Sequence, residues 1–329
     1  MCGILLVKSK EYIQPYKHLC ALEVLKGRGP DFSRYRYVNN IFIAQTVLHI
    51  TGTDTYYKKP SDDFLAYNGE IYNYKELGNY NNDIEFVDDC VNNNARRLAH
   101  GYGPWAWAWS NNEKVRYAAD PQGEKTLYQY QDDDILIVCS EVAPMLEYIN
   151  PTKIKQTYRT RHWTMLEQTP WQGITRVAPG REYVDGKVAQ SIDMVWNWIK
   201  PQKYTYAEAL EEFSSLWKTT LKTMTPECAS ALTYSGGLDS SIILSHIDNL
   251  ELYTTNMTGK DPIVNHIEDF LTSKEISRLN QLHIGPELWA EYFLEILERT
   301  KMPIQSWSFV GQWAIAEACQ ERVLSLIHI

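Results

Sequence analysis

Read as apolar and polar positions, the chain changes texture near residue 205. Before that point short apolar runs are divided by turn residues. They predict strands over Gly3–Val7, Ile41–Ile50, Phe64–Tyr67, Trp105–Trp109, Val115–Ala119, Thr126–Tyr130 and Ile135–Ser140. One helix is expected in this half, over Gln14–Leu25. The run WAWAW sets Trp105, Trp107 and Trp109 on one face of a strand and Ala106 and Ala108 on the other, because successive strand side chains point to opposite faces. Such a stripe is sheet packing, and no chemistry is assigned to it.

From Pro144 to Tyr204 short strands and turns such as APG and VDGK carry little helical periodicity, so the segment reads as a connection. Thr205 then offers an N-cap with Glu208 as its capping-box partner, and Leu210, Phe213, Trp217 and Leu221 share one helical face. A strand (Ala229–Tyr234), a glycine turn, a helix (Ser240–Asp248), a strand (Glu251–Met257) and helices over Glu287–Thr300 and Gly311–Arg322 are expected to follow. Alternating strands and helices predict a parallel α/β sheet. The organisation expected is a β-rich domain over 2–150, a connection over 151–204 and an α/β domain over 205–329.

The 329 residues suffice for two cores, and 44% hydrophobic with 22% charged residues is a globular composition. A net charge of -9 leaves no sustained basic face for phosphates, and the cluster KIKQTYRTR is read as a solvated connector, so nucleic acid is excluded as a partner. The six cysteines (Cys2, Cys20, Cys90, Cys139, Cys228, Cys319) show no CxxC pair and read as reduced thiols. No apolar run approaches the roughly 20 residues of a membrane span, and the start MCGILLVKSK lacks signal-peptide character, so a cytoplasmic location is expected.

Candidate chemistry sits at two places. The stretch YSGGLDSSI, between an apolar strand and an apolar helix, combines Gly236 and Gly237 for a sharp turn with the hydroxyls of Ser235, Ser240 and Ser241. Residues of these types suit a phosphate. The lysine of GxxxxGK[ST] is missing, so transfer of a terminal phosphate is not indicated, and Asp239 would need Mg²⁺ between its carboxylate and a pyrophosphate. The second place is Cys2. By itself it reads first as a small buried hydrophobe of the first strand. With Met1 removed its α-amine, of reference pKa about 8, would serve as the base for its own thiol.

SGGLDSS resembles the signature of the ATP pyrophosphatase group. With the leading Met-Cys-Gly on a β-rich half, the chain resembles the glutamine-hydrolysing asparagine synthetase family. KGRGPDF (Lys26–Phe32), AYNGEIYNYKEL (Ala66–Leu77), GPWAWAW, ADPQGEKTLY (Ala119–Tyr128) and CSEVAPML follow in the family's order. The resemblance implies an αββα amidotransferase sandwich followed by an α/β ATP pyrophosphatase domain. It implies Cys2 as nucleophile and the Asn68 amide with the Gly69 N–H as oxyanion donors. Glutamine would be held by Arg28, the segment at Val47 and Leu48, Asn68, Gly69, Glu70 and Asp83. ATP, with Mg²⁺ at Asp239, would be held by Thr233, Ser235, Gly236, Gly237, Ser240, Ser241 and Met257.

The implied activity is asparagine synthesis from glutamine, aspartate and ATP, with a relative activating another carboxylate, or a glutaminase alone, as alternatives; a homodimer is left open. Two departures stand out. The family carries an arginine for the glutamine α-carboxylate where this chain has Val47, and Arg28 or Arg36 is considered as its substitute. The chain also stops after RVLSLIHI, where the family continues with a second glycine-rich acidic loop, and a fragment is expected.

Overall fold

The structure is a computed structural model that describes residues 2–50, 63–150, 169–192, 203–225, 228–256, 267, 271–304, 306–320, 322 and 325–327. Strand β1 (Gly3–Ser9) is central to a six-stranded antiparallel sheet, and its side chains from Ile4 to Val7 are wholly buried. It pairs on one side with β3 (Ile41–Val47), which pairs with the edge strand β2 (Phe32–Val38). On the other side come β8 (Ile135–Cys139), β7 (Tyr128–Gln131) and β9 (Ile174–Arg176).

A second antiparallel sheet runs in the order β11 (Lys187–Ser191), β10 (Arg181–Val184), β6 (Val115–Ala119), β5 (Trp105–Ser110) and β4 (Phe64–Gly69). Ile4, Leu6, Ile41 and Ile43 of the first sheet share a core with Ala66, Ala106, Ala108 and Tyr117 of the second. The opposite face of the first sheet (Leu5, Val7, Phe42, Ala44) packs on Ala21, Leu22 and Leu25 of helix α1 (Pro15–Leu25). The tryptophan face of β5 packs on Phe86, Val87 and Val91 of a helix at Asp83–Asn93. The layers are therefore helix, sheet, sheet, helix. Small alanines let the sheets approach, while each buried tryptophan removes roughly 150–250 Å² from water, worth about 4–6 kcal/mol against an extended chain.

Several expectations are corrected. The connection over 151–204 is not merely a linker: β9 joins the first sheet, and β10 and β11 extend the second. Compact packing accordingly groups residues 1–200 with 300–302, and 201–299 with 303–329. The strand expected over Ile41–Ile50 ends at Val47, and that over Thr126–Tyr130 begins at Tyr128. Strand β2 and the helix at Asp83–Asn93 were not predicted. A four-residue turn of helix, α2 (Tyr74–Leu77), precedes that helix, which is α3.

In the second unit, α4 (Tyr206–Met224) starts at the expected capping box, where the Glu208 N–H donates to Thr205 Oγ1 at 3.3 Å and Glu208 Oε2 accepts from the Thr205 N–H at 2.8 Å. Only Trp217 and Leu221 of its apolar face meet the core; Leu210 and Phe213 are exposed. A parallel sheet runs in the order β14 (Leu279–His283), β13 (Glu251–Asn256), β12 (Ser230–Thr233) and β15 (Ser325–Ile327). Helix α5 (Leu238–Leu244) joins Leu232, Leu250 and Leu252 in one cluster, and Ile315 and Cys319 of a helix at Ser308–Cys319 join Ala231 and Tyr253 in another. Two separate apolar clusters are what a parallel sheet covered on both faces requires.

Candidate active site

The turn after α1 fixes the surroundings of Cys2. A Cβ on Gly29 would stand 2.4 Å from the Val47 nitrogen, so only glycine lets the RGPD turn lie against the end of β3. Pro30 bridges to Val47, the Asp31 N–H donates to the Val47 carbonyl at 3.1 Å, and the His49 N–H donates to the Asp31 carboxylate at 2.8 Å. The end of β3 is thereby held with the Leu48 backbone N–H placed to lower the Cys2 thiol pKa. Arg28 closes the arrangement: its Nε donates to the Cys2 carbonyl at 3.1 Å and its guanidinium pairs with Glu141 at 3.0 Å.

The end of β4 supplies the facing groups. The Cys2 N–H donates to Asn68 Oδ1 at 3.1 Å, while Asn68 Nδ2, on a side chain only 2% exposed, has no hydrogen-bond partner among the described residues. Gly69 is paired with Trp105, and the adjacent Glu70 N–H donates to the Pro104 carbonyl. In an antiparallel ladder this makes Gly69 and Trp105 a non-hydrogen-bonded pair, so the Gly69 N–H points off the open edge of the sheet. Along that same edge the Leu65 and Tyr67 carbonyls accept from Arg34 and Gln45 side chains, each at 2.6 Å. A Cβ on Gly69 would meet the Pro104 oxygen at 2.5 Å, so glycine is required here by the neighbouring strand.

Asp83 caps this corner. Its carboxylate accepts from the Tyr67 hydroxyl at 2.9 Å and the Ile71 N–H at 3.1 Å, which ties the start of α3 to both sides of Asn68–Glu70. Burial pushes its carboxyl above the usual range, against the pull of those donors. Burial also raises the Cys2 thiol; the Leu48 N–H and the Arg28 charge oppose the rise and Glu70 adds to it. Tyr72 is pushed up to about 12 by burial and then by Glu70.

Val47 is 7% exposed and contributes backbone rather than a polar group. Arg36 does not substitute for an arginine there. It pairs with Ile43, four residues or about 13 Å along the strand from the Phe32–Val47 pair, and its guanidinium bonds Asn112.

In the second unit, Gly236 adopts φ +72° between β12 and α5. Ser235 and Ser240 hydroxyls meet at 3.3 Å, the Gly237 N–H donates to Ser235 Oγ at 3.3 Å, and Ser241 meets the Tyr234 hydroxyl at 3.3 Å. The Thr233 hydroxyl is buried without a partner among the described residues, and Asp239 is exposed on the first turn of α5. Met257 lies outside the described residues. Among the described residues no group of three or more His, Cys, Asp or Glu could hold a metal ion.

Three residues of the Cys2 site escaped sequence reading. Glu141 is the partner of Arg28. Asp120, 3% exposed, accepts from the N–H groups of Gln122, Glu124 and Lys125 at 2.9, 3.2 and 2.9 Å and so shapes the loop that presents Lys125. An Asp at a strand end followed by Pro-x-Gly is a legible signal for such a loop; nothing local shows where it lands.

A family model of the glutamine amidotransferase domain matches residues 1–196. An amidase, chyE, of Penicillium rubens is 20% identical over 97% of this chain and 54% of its own length. Asparagine synthetase [glutamine-hydrolyzing] 1 of Saccharomyces cerevisiae is 27% identical over 74% of this chain and 43% of its own. The asparagine synthetase [glutamine-hydrolyzing] of Gallus gallus is 24% identical over 87% and 55%. The chain thus spans about half the length of these relatives. Among solved structures, the glutamine phosphoribosylpyrophosphate amidotransferase of B. subtilis is similar with a TM-score of 0.44 and 12% identity, over 86% of this chain and 81% of that one.

Proposed function

The chain belongs to the glutamine amidotransferase domain family, and on that premise we propose that Cys2, freed at its amine by removal of Met1, hydrolyses glutamine and that the ammonia is used to make asparagine from aspartate and ATP. The observation that carries the first step is the straddling of Asn68. Its Oδ1 takes the Cys2 N–H, while its buried Nδ2 is an unpartnered donor beside the same residue. A donor left unsatisfied in a buried place costs stability unless a ligand atom completes it.

The step balances as follows. The α-amine accepts the thiol proton, the sulfur attacks the carboxamide carbon, and the carbonyl oxygen becomes an oxyanion facing Asn68 Nδ2 and the Gly69 N–H. Collapse breaks the carbon–nitrogen bond and the ammonium returns its proton to the leaving ammonia. Water then cleaves the thioester to glutamate and regenerates the thiol. Preorganised donors of this type are worth roughly 3–4 kcal/mol each.

The second step rests on the two relatives named as asparagine synthetases and on the Ser235–Ser241 turn. That turn fits a phosphate chain: it has three hydroxyls, a glycine with positive φ and an orphaned Thr233 hydroxyl beside it. Ser235, Ser240 and Ser241 would hold phosphate oxygens, and Asp239 would take the Mg²⁺ that accompanies them. ATP supplies the phosphoanhydride whose cleavage to AMP and pyrophosphate activates a carboxylate.

The test is glutamate and pyrophosphate release by the mature chain with glutamine, aspartate and Mg-ATP. Glutamate formation that disappears in Cys2→Ala and behind a non-removable N-terminal tag is expected. Glutamate formation that persists in both refutes the nucleophile. Absence of aspartate-dependent pyrophosphate removes the second step and leaves a glutaminase.

A further inference from the structure

Glutamine presents opposite charges at its α-carbon, so a site that orients its carboxamide toward Cys2 needs an anion for the ammonium and a cation for the carboxylate. Glu70 follows the oxyanion strand and its charge acts on the Cys2 thiol. For the cation, Val47 offers none, Arg36 bonds Asn112, and Arg28 is engaged by the Cys2 carbonyl and Glu141. Lys125 is left. Its backbone is tied to the site by a short chain of bonds: the Lys125 N–H donates to the Asp120 carboxylate at 2.9 Å, and the Asp120 N–H donates to the carbonyl of Trp105, the strand partner of Gly69, at 2.8 Å.

We propose that Lys125 is the carboxylate anchor for glutamine in this chain, reached from the 120–125 loop rather than from β3. The proposal rests on glutamine being the substrate at Cys2. Among the described residues the Lys125 ammonium has neither a hydrogen-bond acceptor nor an ion-pair partner within 4.0 Å, although the side chain is half-buried. Burial and then the Arg28 charge hold it below the usual lysine range, with Glu124, Glu70 and Cys2 acting in the opposite direction. A half-buried cation with no counter-ion is what an incoming carboxylate would complete. Glu70 and Lys125 lie within electrostatic reach of each other and of the thiol, so both ends of the zwitterion have a counterpart beside the nucleophile.

The decisive comparison uses glutamine and 4-aminobutanamide, which is glutamine without its α-carboxylate. Binding is measured by calorimetry in the Cys2→Ala chain, with and without Lys125→Met, which keeps the stem and removes the charge. Loss of a charged hydrogen bond should weaken glutamine about 10- to 100-fold and change the analogue less than twofold, with Lys125→Arg recovering most of the affinity. In the chain with Cys2 intact the same loss should fall on KM more than on kcat. Equal weakening of both ligands, or no weakening of glutamine, overturns the assignment, and so does failure of the Cys2→Ala chain to bind glutamine at all. If glutamine binds but the wild-type chain releases no glutamate, hydrolysis at Cys2 is refuted while the affinity ratio still decides Lys125.

Discussion

Replacing Asn68 by alanine should separate catalysis from stability more cleanly than any other change at this site. The side chain is 2% exposed and sits at the end of β4, a position where truncation of a large apolar residue would cost about 2–5 kcal/mol. Its chemistry alters that sum. The variant loses one bond, from the Cys2 N–H to Oδ1, worth about 1 kcal/mol net. It also removes Nδ2, a buried donor without a partner, whose desolvation costs about 1–3 kcal/mol in the resting protein. These terms nearly cancel the packing loss from a small polar side chain, so stability should stay within about 1 kcal/mol of wild type. Catalysis has no such compensation. With one of two oxyanion donors gone, kcat should fall about 10²- to 10³-fold, with little change in KM because the donor acts on charge that develops only in the transition state. Steady-state glutamate release and urea unfolding followed by tryptophan fluorescence read the two quantities. A kcat within tenfold of wild type would show that Nδ2 does not face the oxyanion. A loss of more than about 3 kcal/mol with kcat unaltered would make the amide structural.

Arg28→Met removes the bond to the Cys2 carbonyl and leaves Glu141 unpaired, so kcat/KM should drop about 10- to 100-fold; an unchanged value would show that Cys2 is positioned without it. Gly69→Ala pushes a methyl against Pro104 and Trp105 and should cost about 1–3 kcal/mol in the urea midpoint of the first unit, whereas an unchanged midpoint would mean that the strands yield there. Because burial raises the Cys2 thiol, its alkylation by iodoacetamide should still be accelerating at pH values where an ordinary thiol, of pKa about 8.5, has levelled off. Glu70→Gln should bring that midpoint down, since removing a nearby anion favours the thiolate; a midpoint that rises would reverse the assigned sign.

Local pattern carried much of this molecule. WAWAW had to expose two unlike faces, and both are buried, the alanines in the core shared by the sheets and the tryptophans on α3. The capping box at Thr205 and the turn at Gly236 were legible because their partners lie within a few residues. Cys2, Asn68 and Asp83 were picked out by residue type and motif. What pattern could not show is whatever depends on pairing across long stretches of chain. Strand β2 (FSRYRYV) carries arginines and reads as polar because it is a sheet edge, and β9 and β10 read as a connection because their partners, β7 and β6, lie 44 to 68 residues earlier, with β11 joining only through its hairpin with β10. Helix α3 opens with acidic residues that mask Ile84, Val87 and Val91 until the tryptophan face gives them something to pack on. Lys125 belongs to the same class. Its sequence neighbours describe a turn, and only the bond from Asp120 to Trp105, closed by the register of β5 against β4, brings that turn beside Gly69 and Cys2. Side-chain chemistry is written residue by residue, whereas the meeting of charges around a nucleophile is decided by strand register, which is a property of the whole sheet.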